Sequence, residues 1–446
     1  VGVRFAELAG GRCLIGDDMG IGKTIQAIAY CALHPEQWPV LVVCPANVKY
    51  NWLNEFRKWL PSVYTDVIAN GKSPVPDSAN VVIINYDLMT KKKDELLEGG
   101  FNIVICDESH YLKNKGTKSK PIKRTVSTLE VAEASEAVLC LSGTAITNRP
   151  KEFYTTLNLL QPAEFSNFFT YGKRYCAAEE QYIGRGRYVW NFDGASNTDE
   201  LHLRIRDFAI RRLKKEVLEE LPDKIRSIIS VEPSQAERRE YQDVHDSWLM
   251  RYHAHIEGGD MPAGFVLNML TDLRHHCGLL KVNATIEWAR EYWTQNPDSP
   301  LIIFTHHKDV MENIKTGFKE AVKSKDFPVV VNGSTISGSV SAEKRTETVE
   351  RFQKGELNLL LCSTIAAKEG LTLTAADTVV FVEREWVPMW EEQAEDRVNR
   401  IGQDSDTVWA NYLSVKGTID EKFNIVVEEK RKVVKAVLDG GTIDER

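Results

Sequence analysis

Four residues have the types and spacing that hold a nucleotide phosphate: Gly20, Gly22, Lys23 and Thr24. The glycines let the backbone approach phosphate oxygens, the Lys23 ammonium can reach the β- and γ-phosphates, and the Thr24 hydroxyl can bind Mg²⁺. The usual pattern, G-x-x-x-x-G-K-[ST], requires another glycine at position 17, where this chain has Asp17. The sequence therefore predicts a phosphate-binding loop with an altered start. The alternative is a glycine-rich turn that binds nothing.

Two carboxylates, Asp107 and Glu108, follow the apolar run of residues 103–106. Directly after a buried strand, Asp107 stands where ATPases with such a loop hold Mg²⁺, and Glu108 can orient or deprotonate the attacking water. An acidic surface turn is the alternative, but the phosphate-binding loop in the same domain favours the metal site. After the next apolar run, Ser142 and Thr144 are placed to sense the γ-phosphate.

Three polar residues near the C-terminus are spaced four and then three apart: Gln393, Arg397 and Arg400. This spacing predicts that they share one face of a helix. Two arginines held together can stabilise the charge of a transferring phosphoryl group, as arginine fingers do. The alternative is a solvated basic stripe paired with the neighbouring acids Glu391, Glu395 and Asp396.

A lysine-rich stretch without acidic residues, 112–124, follows the two carboxylates. The lysines that we predict to touch a DNA phosphate backbone are Lys113, Lys115, Lys118 and Lys120. Such a loop binds any sequence, because phosphate contacts carry no base information. A solvated loop without a partner is the alternative. Lys49 lies near the same surface in the predicted order of elements, while nearby Trp52 is predicted to be a core residue.

The elements that position these residues are short apolar runs alternating with helical patterns. The runs in the first third cover residues 11–15, 40–45, 80–86, 101–108 and 137–144, and those after residue 300 cover 300–307, 327–334, 357–364 and 377–383. Uniformly apolar runs suit strands that are covered on both faces. The sequence therefore predicts two α/β lobes with parallel sheets flanked by helices.

The predicted domains follow from this alternation. We expect an N-terminal lobe over residues 1–150, a helical insertion and inter-lobe linker over 151–235, and a C-terminal lobe over 236–446. The predicted C-terminal lobe includes a helical protrusion at about 236–290 and a C-terminal helix that closes the lobe. Within the protrusion, His275, His276 and Cys277 have no partner pair at metal-ligand spacing, which favours helix packing over a metal site.

Composition limits the class of protein. The chain has 446 residues, 43% of them apolar and 27% charged, which is typical of a globular protein with two or three domains. No run of eighteen apolar residues or signal peptide is present, so we expect no membrane partner. Eight scattered cysteines predict a reducing compartment. A net charge of −8 restricts nucleic-acid binding to a local patch.

Five segments together resemble a known family: "DDMGIGKT", "DESH", "LSGTAITN", "CSTIAAKEGLTLTAAD" and "QAEDRVNRIGQ". They are similar to motifs I, II, III, V and VI of the SWI/SNF-type superfamily 2 helicase-like ATPases, in the same order and over essentially the whole chain. In that family motif I usually reads D-[DE]-M-G-x-G-K-T, so Asp17 is the family's own variant. The segments "YGKRYC", "NFDGASNTDELHLRI", "RRLKKEVLEELP" and "FTHHKDVMENI" resemble its annealing-helicase, fork-remodelling branch.

The resemblance implies two RecA-like lobes with helical insertions and an ATP-dependent DNA translocase, a DNA-stimulated ATPase that uses ATP and Mg²⁺. We expect duplex or branched DNA as its partner and a monomer on that DNA, located in the cytoplasm, or in the nucleus of a eukaryote. An RNA helicase of the same superfamily and a scaffold with an inactive ATPase are the alternatives.

Carried over by position, the resemblance assigns roles to individual residues. Those implied in catalysis are Lys23, Asp107, Glu108, Arg397 and Arg400. Those implied in nucleotide binding are Gly20, Ile21, Gly22, Lys23, Thr24, Gln393 and Gly370. Thr24 and Asp107 are the implied Mg²⁺ ligands.

Overall fold

The computed structural model describes most of the chain in two compact units. The described residues are 1–117, 119–143, 145, 149–182, 186–217, 221–259, 261–262, 264–366, 371–400 and 402–439. Unit 1 comprises Val1–Glu219 and Lys430–Arg446, and unit 2 comprises Glu220–Glu429. The predicted insertion 151–235 is thus divided between the units. The last part of the predicted closing helix belongs to unit 1 rather than to the second lobe.

Unit 1 is built on a seven-stranded parallel sheet. Its strands are β1 (Arg12–Ile15), β2 (Val40–Cys44), β3 (Thr65–Val67), β4 (Val81–Asn85), β5 (Ile103–Asp107), β6 (Ala137–Leu141) and β9 (Ala209–Ile210), in the spatial order β3-β4-β2-β5-β6-β1-β9. Side chains of β2 alternate between two apolar cores, with Leu41 in one and Val42 in the other. The sheet is therefore covered on both faces, as the uniformly apolar runs predicted.

Unit 1 also contains α-helices and a second, smaller sheet. The helices are α1 (Gly2–Leu8), α2 (Lys23–Leu33), α3 (Lys49–Trp59), α4 (Met89–Glu98), α5 (Lys123–Glu133), α6 (Tyr154–Leu160), α7 (Phe168–Tyr175), α8 (Thr198–Ile205) and α9 (Lys214–Val217). An antiparallel pair, β7 (Glu179–Tyr182) and β8 (Tyr188–Asn191), lies within the stretch predicted as helices and linker. That prediction missed the pair because its side chains are mostly exposed and show no apolar run.

Unit 2 contains a six-stranded parallel sheet. Its strands are β10 (Asp223–Val231), β11 (Leu301–Thr305), β12 (Gly333–Ile336), β13 (Leu359–Ser363), β14 (Thr378–Phe381) and β15 (Thr407–Val415), in the order β10-β15-β14-β11-β13-β12. Its helices are α10 (Gln235–Gly258), α11 (Phe265–Gln295), α12 (Lys308–Lys323), α13 (Ala342–Gln353) and α14 (Pro388–Glu395), while α15 (Ile419–Asp439) begins in it. Helices α10 and α11 cover most of the stretch predicted as a helical protrusion, residues 236–290.

The strand predicted over residues 327–334 was largely wrong, since β12 begins only at Gly333. Before it, the Asn358 side chain donates to the carbonyl of Val330 and accepts from the backbone N–H of Asn332. A side chain thus takes over the hydrogen bonds that a neighbouring strand would make. Val330 is correspondingly 80% exposed, unlike a residue of a covered strand.

The sheet of unit 1 brings the predicted motifs to one edge. Strand β6 lies between β1 and β5, and both pairs are parallel. The segments after Ile15, Asp107 and Leu141 therefore leave the same edge side by side, where parallel α/β sheets bind their ligands. Among the described helices, none combines the length and the apolar character that crossing a bilayer requires.

Candidate active site

The loop between β1 and α2 has the backbone geometry of a phosphate-binding turn. Gly20 and Gly22 adopt left-handed conformations, with φ of 90° and 88°, which glycine reaches without a steric penalty. Gly22 is the residue before the first turn of α2, whose leading N–H groups have no acceptor within the helix. These N–H groups and the positive end of the helix dipole form an anion site at the loop.

Lys23 points into this loop. Its Nζ donates to the backbone carbonyl oxygens of Asp17 and Asp18, at 2.8 and 3.2 Å. Burial lowers the pKa of Lys23, and the nearby charges of Glu108 and Asp107 raise it in part. A buried ammonium with carboxylates close by is a suitable partner for a phosphate, whose charge would compensate the burial.

Asp107, the last residue of β5, is fixed by three hydrogen bonds. Its Oδ2 accepts from the Trp52 indole Nε1 at 2.8 Å, and its Oδ1 accepts from the backbone N–H of Glu108 at 3.0 Å. The Tyr86 hydroxyl donates to its carbonyl oxygen at 2.8 Å. Burial, followed by the charge of Glu108, raises the pKa of Asp107 to about 6. Trp52 is buried as predicted, and it also orients the carboxylate.

Glu108 and His110 connect the end of β5 to the end of β6. Glu108 has a left-handed backbone with φ of 51°, a conformation that is uncommon without glycine and often marks a functional site. The imidazole Nδ1 of His110 lies 3.1 Å from the Glu108 carboxylate and 3.3 Å from the Ser142 hydroxyl. A change at a bound phosphate can therefore pass from one motif to the other through His110.

The residues present fit Mg²⁺ bound through a nucleotide. Within the described ranges, no group of three or more His, Cys, Asp or Glu side chains could hold a metal ion. Mg²⁺ in nucleotide sites usually takes one or two protein ligands and completes its shell with phosphates and water. Asp107 and the hydroxyl of Thr24 are oxygen donors of this kind, and their role as Mg²⁺ ligands stays a prediction.

Asp17 is a structural residue in this fold. It is fully buried, and it accepts from the Arg212 backbone N–H at 3.1 Å, from Arg212 Nε at 3.0 Å and from Gln26 Nε2 at 3.1 Å. A buried carboxylate is costly unless it is paired and hydrogen-bonded, and these contacts satisfy both conditions. Asp17, which stands where the general pattern has glycine, therefore binds the phosphate-binding loop to the segment after β9.

Arg211 contacts the same loop from the other side. Its Nη1 donates to the carbonyl oxygens of Gly16 and Gly143, at 3.0 and 2.9 Å, and its Nη2 lies 3.0 Å from Asp18. It also pairs with Asp439 at the end of α15. Sequence reasoning missed Arg211 and Arg212, although two adjacent acids in a loop were a signal that basic partners would be needed.

Matches to known proteins identify the family. Residues 7–280 match the family model described as SNF2-related domain, and residues 281–402 match the one described as Helicase conserved C-terminal domain. The chain belongs to the SNF2-related family. This membership agrees with the predicted resemblance to SWI/SNF-type ATPases.

Two curated relatives support the predicted branch of the SNF2-related family. The "DNA annealing helicase and endonuclease ZRANB3" of Mus musculus is 34% identical to 98% of the chain, and the match covers 40% of that protein. The "SWI/SNF-related matrix-associated actin-dependent regulator of chromatin subfamily A-like protein 1" of Xenopus tropicalis is 34% identical, with coverage of 97% and 44%. The chain thus spans less than half the length of these relatives.

A solved structure supports the fold alone. The helicase domain of Pyrococcus furiosus Hef matches 95% of the chain with a TM-score of 0.59 and 16% identity, and 96% of that domain is covered. The two units of this SNF2-related chain are RecA-like lobes with parallel sheets flanked by helices, which confirms the predicted fold class.

The helix predicted to hold Gln393, Arg397 and Arg400 on one face ends too early. Helix α14 ends at Glu395, so only Gln393 lies on it. After its end, the backbone carbonyl of Arg397 accepts from another segment instead of from a further helical turn, and the Asn399 side chain donates to the carbonyl of Pro222. Arg397 is only 5% exposed, which excludes a solvated stripe at this position.

The two predicted arginine fingers have different surroundings in unit 2. Nη1 of Arg400 donates to the Thr372 hydroxyl at 3.2 Å, whereas the backbone carbonyl of Arg397 accepts from the N–H of Leu373 at 2.9 Å. Both therefore contact residues within the predicted motif V. Their catalytic role stays a prediction. Gly370, Lys118 and Thr144 lie outside the described residues.

The predicted DNA lysines differ in exposure. Lys115 and Lys120 are exposed, on a tight loop closed by a bridge between Gly116 and Pro121, while Lys113 lies 3.9 Å from Glu152. Lys49 is only 5% exposed, and its ammonium donates to the carbonyl oxygens of Ile68 and Ala69, each at 2.9 Å. This burial argues against the predicted contact between Lys49 and DNA.

Proposed function

We propose that the chain is an ATP-dependent DNA translocase, a DNA-stimulated ATPase that moves on duplex DNA and remodels or reanneals DNA structures. The observation that carries the proposal is the meeting of Lys23, Asp107 and Glu108 at one sheet edge, in a chain of the SNF2-related family. The name of the mouse relative supports the annealing activity. Its endonuclease activity is not carried over, because the match covers only 40% of that protein.

Each residue of the site has a role in this proposal. Lys23 and the first N–H groups of α2 bind the β- and γ-phosphates, and Thr24 and Asp107 hold Mg²⁺. When bound, Mg²⁺ neutralises phosphate charge. Glu108 orients the attacking water, and Asp107 is itself held in position by Trp52. His110 passes the loss of the γ-phosphate from Glu108 to Ser142.

DNA binding in this proposal depends on residues 113–120, which we call the lysine loop. Lys115 and Lys120 contact phosphates of a duplex or branched DNA, with Lys113 beside them. Since the chain has a net charge of −8, this local patch must outweigh general repulsion. The chain acts as a monomer on DNA, in the cytoplasm or, in a eukaryote, in the nucleus.

An ATPase assay with four additions tests the proposal: duplex DNA, single-stranded DNA, RNA and buffer alone. We expect turnover to rise with duplex DNA and to stay at the basal rate with RNA. Stimulation by RNA alone would identify an RNA helicase. Absence of turnover in all four samples would leave an inactive scaffold as the explanation.

A second assay tests whether movement along DNA anneals strands or separates them. With a labelled branched substrate that has complementary arms, we expect ATP-dependent annealing or regression of the arms. A plain tailed duplex should show little strand separation. Efficient unwinding of the tailed duplex without any annealing would place the chain in another branch of the superfamily.

A further inference from the structure

Unit 1 exposes a cluster of aromatic rings on the hairpin formed by β7 and β8. Tyr182 and Tyr188 are 58% and 64% exposed, Trp190 is 36% exposed, and Phe169 of α7 beside them is 43% exposed. We call these four side chains the aromatic face. Large exposed rings in a group mark an interaction site rather than a packing requirement.

The strand register places the rings on one side of the hairpin. Tyr182 is paired with Tyr188, and Glu180 with Trp190, and paired residues share a face. The two tyrosine rings are 5.2 Å apart, and Trp190 meets Phe169 edge-on at 5.4 Å. The aromatic face therefore consists of two ring pairs, Tyr182 with Tyr188 and Trp190 with Phe169, and Glu180 is the one carboxylate on that side among the paired strand residues described.

The base of the hairpin is fixed independently of the exposed rings. Phe192 packs on Gly172 of α7, where an added Cβ would come within 2.5 Å of the ring. Asp193 pairs with Arg149 and Lys151. The side chain of Asn197 donates to the carbonyl of Arg174 at 2.7 Å. These contacts hold the base of the hairpin without Tyr182 or Tyr188, whereas nearer the turn the Tyr182 hydroxyl accepts a hydrogen bond from the backbone N–H of Gly186 at 3.3 Å.

A cation accompanies the rings. The Lys173 ammonium lies 4.6 Å from the ring centre of Phe169 and 4.4 Å from that of Trp190. Rings together with basic side chains are the combination by which proteins hold unpaired bases and their phosphates. A purely apolar protein partner would not require this charge.

Ring contacts connect the aromatic face to the lysine loop. The Lys115 ammonium lies 5.9 Å from the Tyr154 ring, and Tyr154 contacts Phe168 at 5.1 Å. Phe168 in turn contacts Phe192 at 5.2 Å, and Phe192 stacks near Trp190 at 6.3 Å. A series of four contacts thus leads from Lys115 to Trp190 of the aromatic face.

From this geometry we propose that the aromatic face stacks on unpaired bases at a branch in the DNA, and so distinguishes branched from continuous duplex DNA. The inference rests on the proposed function, because it requires DNA at the lysine loop. A continuous duplex keeps its bases stacked inside and offers nothing to these rings. A branch point supplies unpaired bases, and each can stack on one ring.

Binding by the full chain tests the proposal. The double variant Tyr182→Ala/Tyr188→Ala should bind a fork with unpaired bases roughly fivefold or more weakly for each ring removed. Its affinity for a blunt duplex and its duplex-stimulated ATPase should stay unchanged. Tyr182→Phe/Tyr188→Phe keeps the rings and should restore fork binding.

A matched control uses two exposed rings elsewhere in unit 1. Trp59 and Tyr64 are 48% and 49% exposed, and Lys58 lies over Trp59 at 4.9 Å. Trp59→Ala/Tyr64→Ala should bind forks like the unaltered chain. An equal loss of affinity in this control would contradict a specific role of the aromatic face.

A measurement on the unaltered chain keeps the test independent of the variants. A fork with 2-aminopurine at the unpaired position next to the branch should lose fluorescence on binding, because stacking quenches that base. Unchanged fluorescence together with unchanged fork affinity of the alanine variant would overturn the proposal and assign the face to a protein partner. Failure of the translocase proposal would be distinguishable from failure of the stacking proposal, because the ATPase would then stay at its basal rate with every DNA.

Discussion

At the scale of single residues, Lys23 shows how function and stability oppose each other. Its ammonium is partly buried and donates to two backbone carbonyls, and this burial lowers its pKa. We expect Lys23→Ala to reduce ATP turnover by about 10² or more, because it removes a charge that faces the phosphates. The melting temperature should stay the same or rise, because a costly buried charge is removed. Turnover like that of the unaltered chain would refute the phosphate-binding role.

Asp107 predicts a pH dependence of the Mg²⁺ requirement. Its pKa is raised to about 6 by burial and by the charge of Glu108. A proton and Mg²⁺ compete for the carboxylate, so the Mg²⁺ concentration for half-maximal turnover should rise as the pH falls through about 6. Well above that pKa it should be nearly constant. The measurement is a Mg²⁺ titration of the ATPase rate at several pH values.

Trp52→Phe provides the matched variant for this titration. The indole N–H donates to the charged carboxylate and thereby lowers the pKa of Asp107. Removing that donor should move the rise in the half-maximal Mg²⁺ concentration to a higher pH. The maximal rate at saturating Mg²⁺ should change less than this concentration does. An identical pH profile in both proteins would show that Asp107 does not hold the ion.

At the scale of elements, the pair of Asp17 and Arg212 joins the phosphate-binding loop to the segment after β9. Arg212→Ala leaves a fully buried carboxylate with Gln26 as its remaining side-chain donor in the described contacts. Breaking a buried pair from one side typically costs about 3 kcal/mol or more, so the free energy of unfolding should fall by roughly that amount. Arg206→Ala is the control, because that side chain is 66% exposed and should change stability little. Equal denaturation midpoints for both variants would contradict the pairing argument.

The elements also show what the sequence could and could not predict. Strand β2 is apolar throughout, and β4 and β5 are apolar up to their last residues, Asn85 and Asp107, so their runs predicted them within a residue or two. Strand β10 lies at a sheet edge with alternating partial exposure, and β15 buries polar residues such as Asn411, so neither gives an apolar run. Asp17 and Arg212 are 195 residues apart in sequence, and only the pairing of β9 with β1 brings them together. Contacts of that kind depend on topology, which the local pattern does not contain.

At the scale of the whole molecule, the charge distribution decides how DNA is held. The chain carries a net charge of −8, so long-range attraction to DNA cannot come from its overall charge. The lysine loop is instead a local source of positive charge, and two of its described lysines, Lys115 and Lys120, are exposed. Each phosphate neutralised by such a side chain releases condensed counterions, which makes binding weaken with salt.

Neutralising these two lysines should therefore change the salt dependence as well as the affinity. For Lys115→Gln/Lys120→Gln, we expect the slope of log K against log salt to become shallower by about 0.9 for each DNA phosphate that the variant no longer neutralises, equally for all DNA sequences. Basal ATPase activity should remain. Lys319→Gln/Lys323→Gln changes the net charge by the same amount on exposed positions of α12, and it should leave the slope unaltered. If both pairs of substitutions changed the slope equally, net charge rather than the lysine loop would govern DNA binding. A slope unchanged in both would move the DNA-binding surface to another part of the chain.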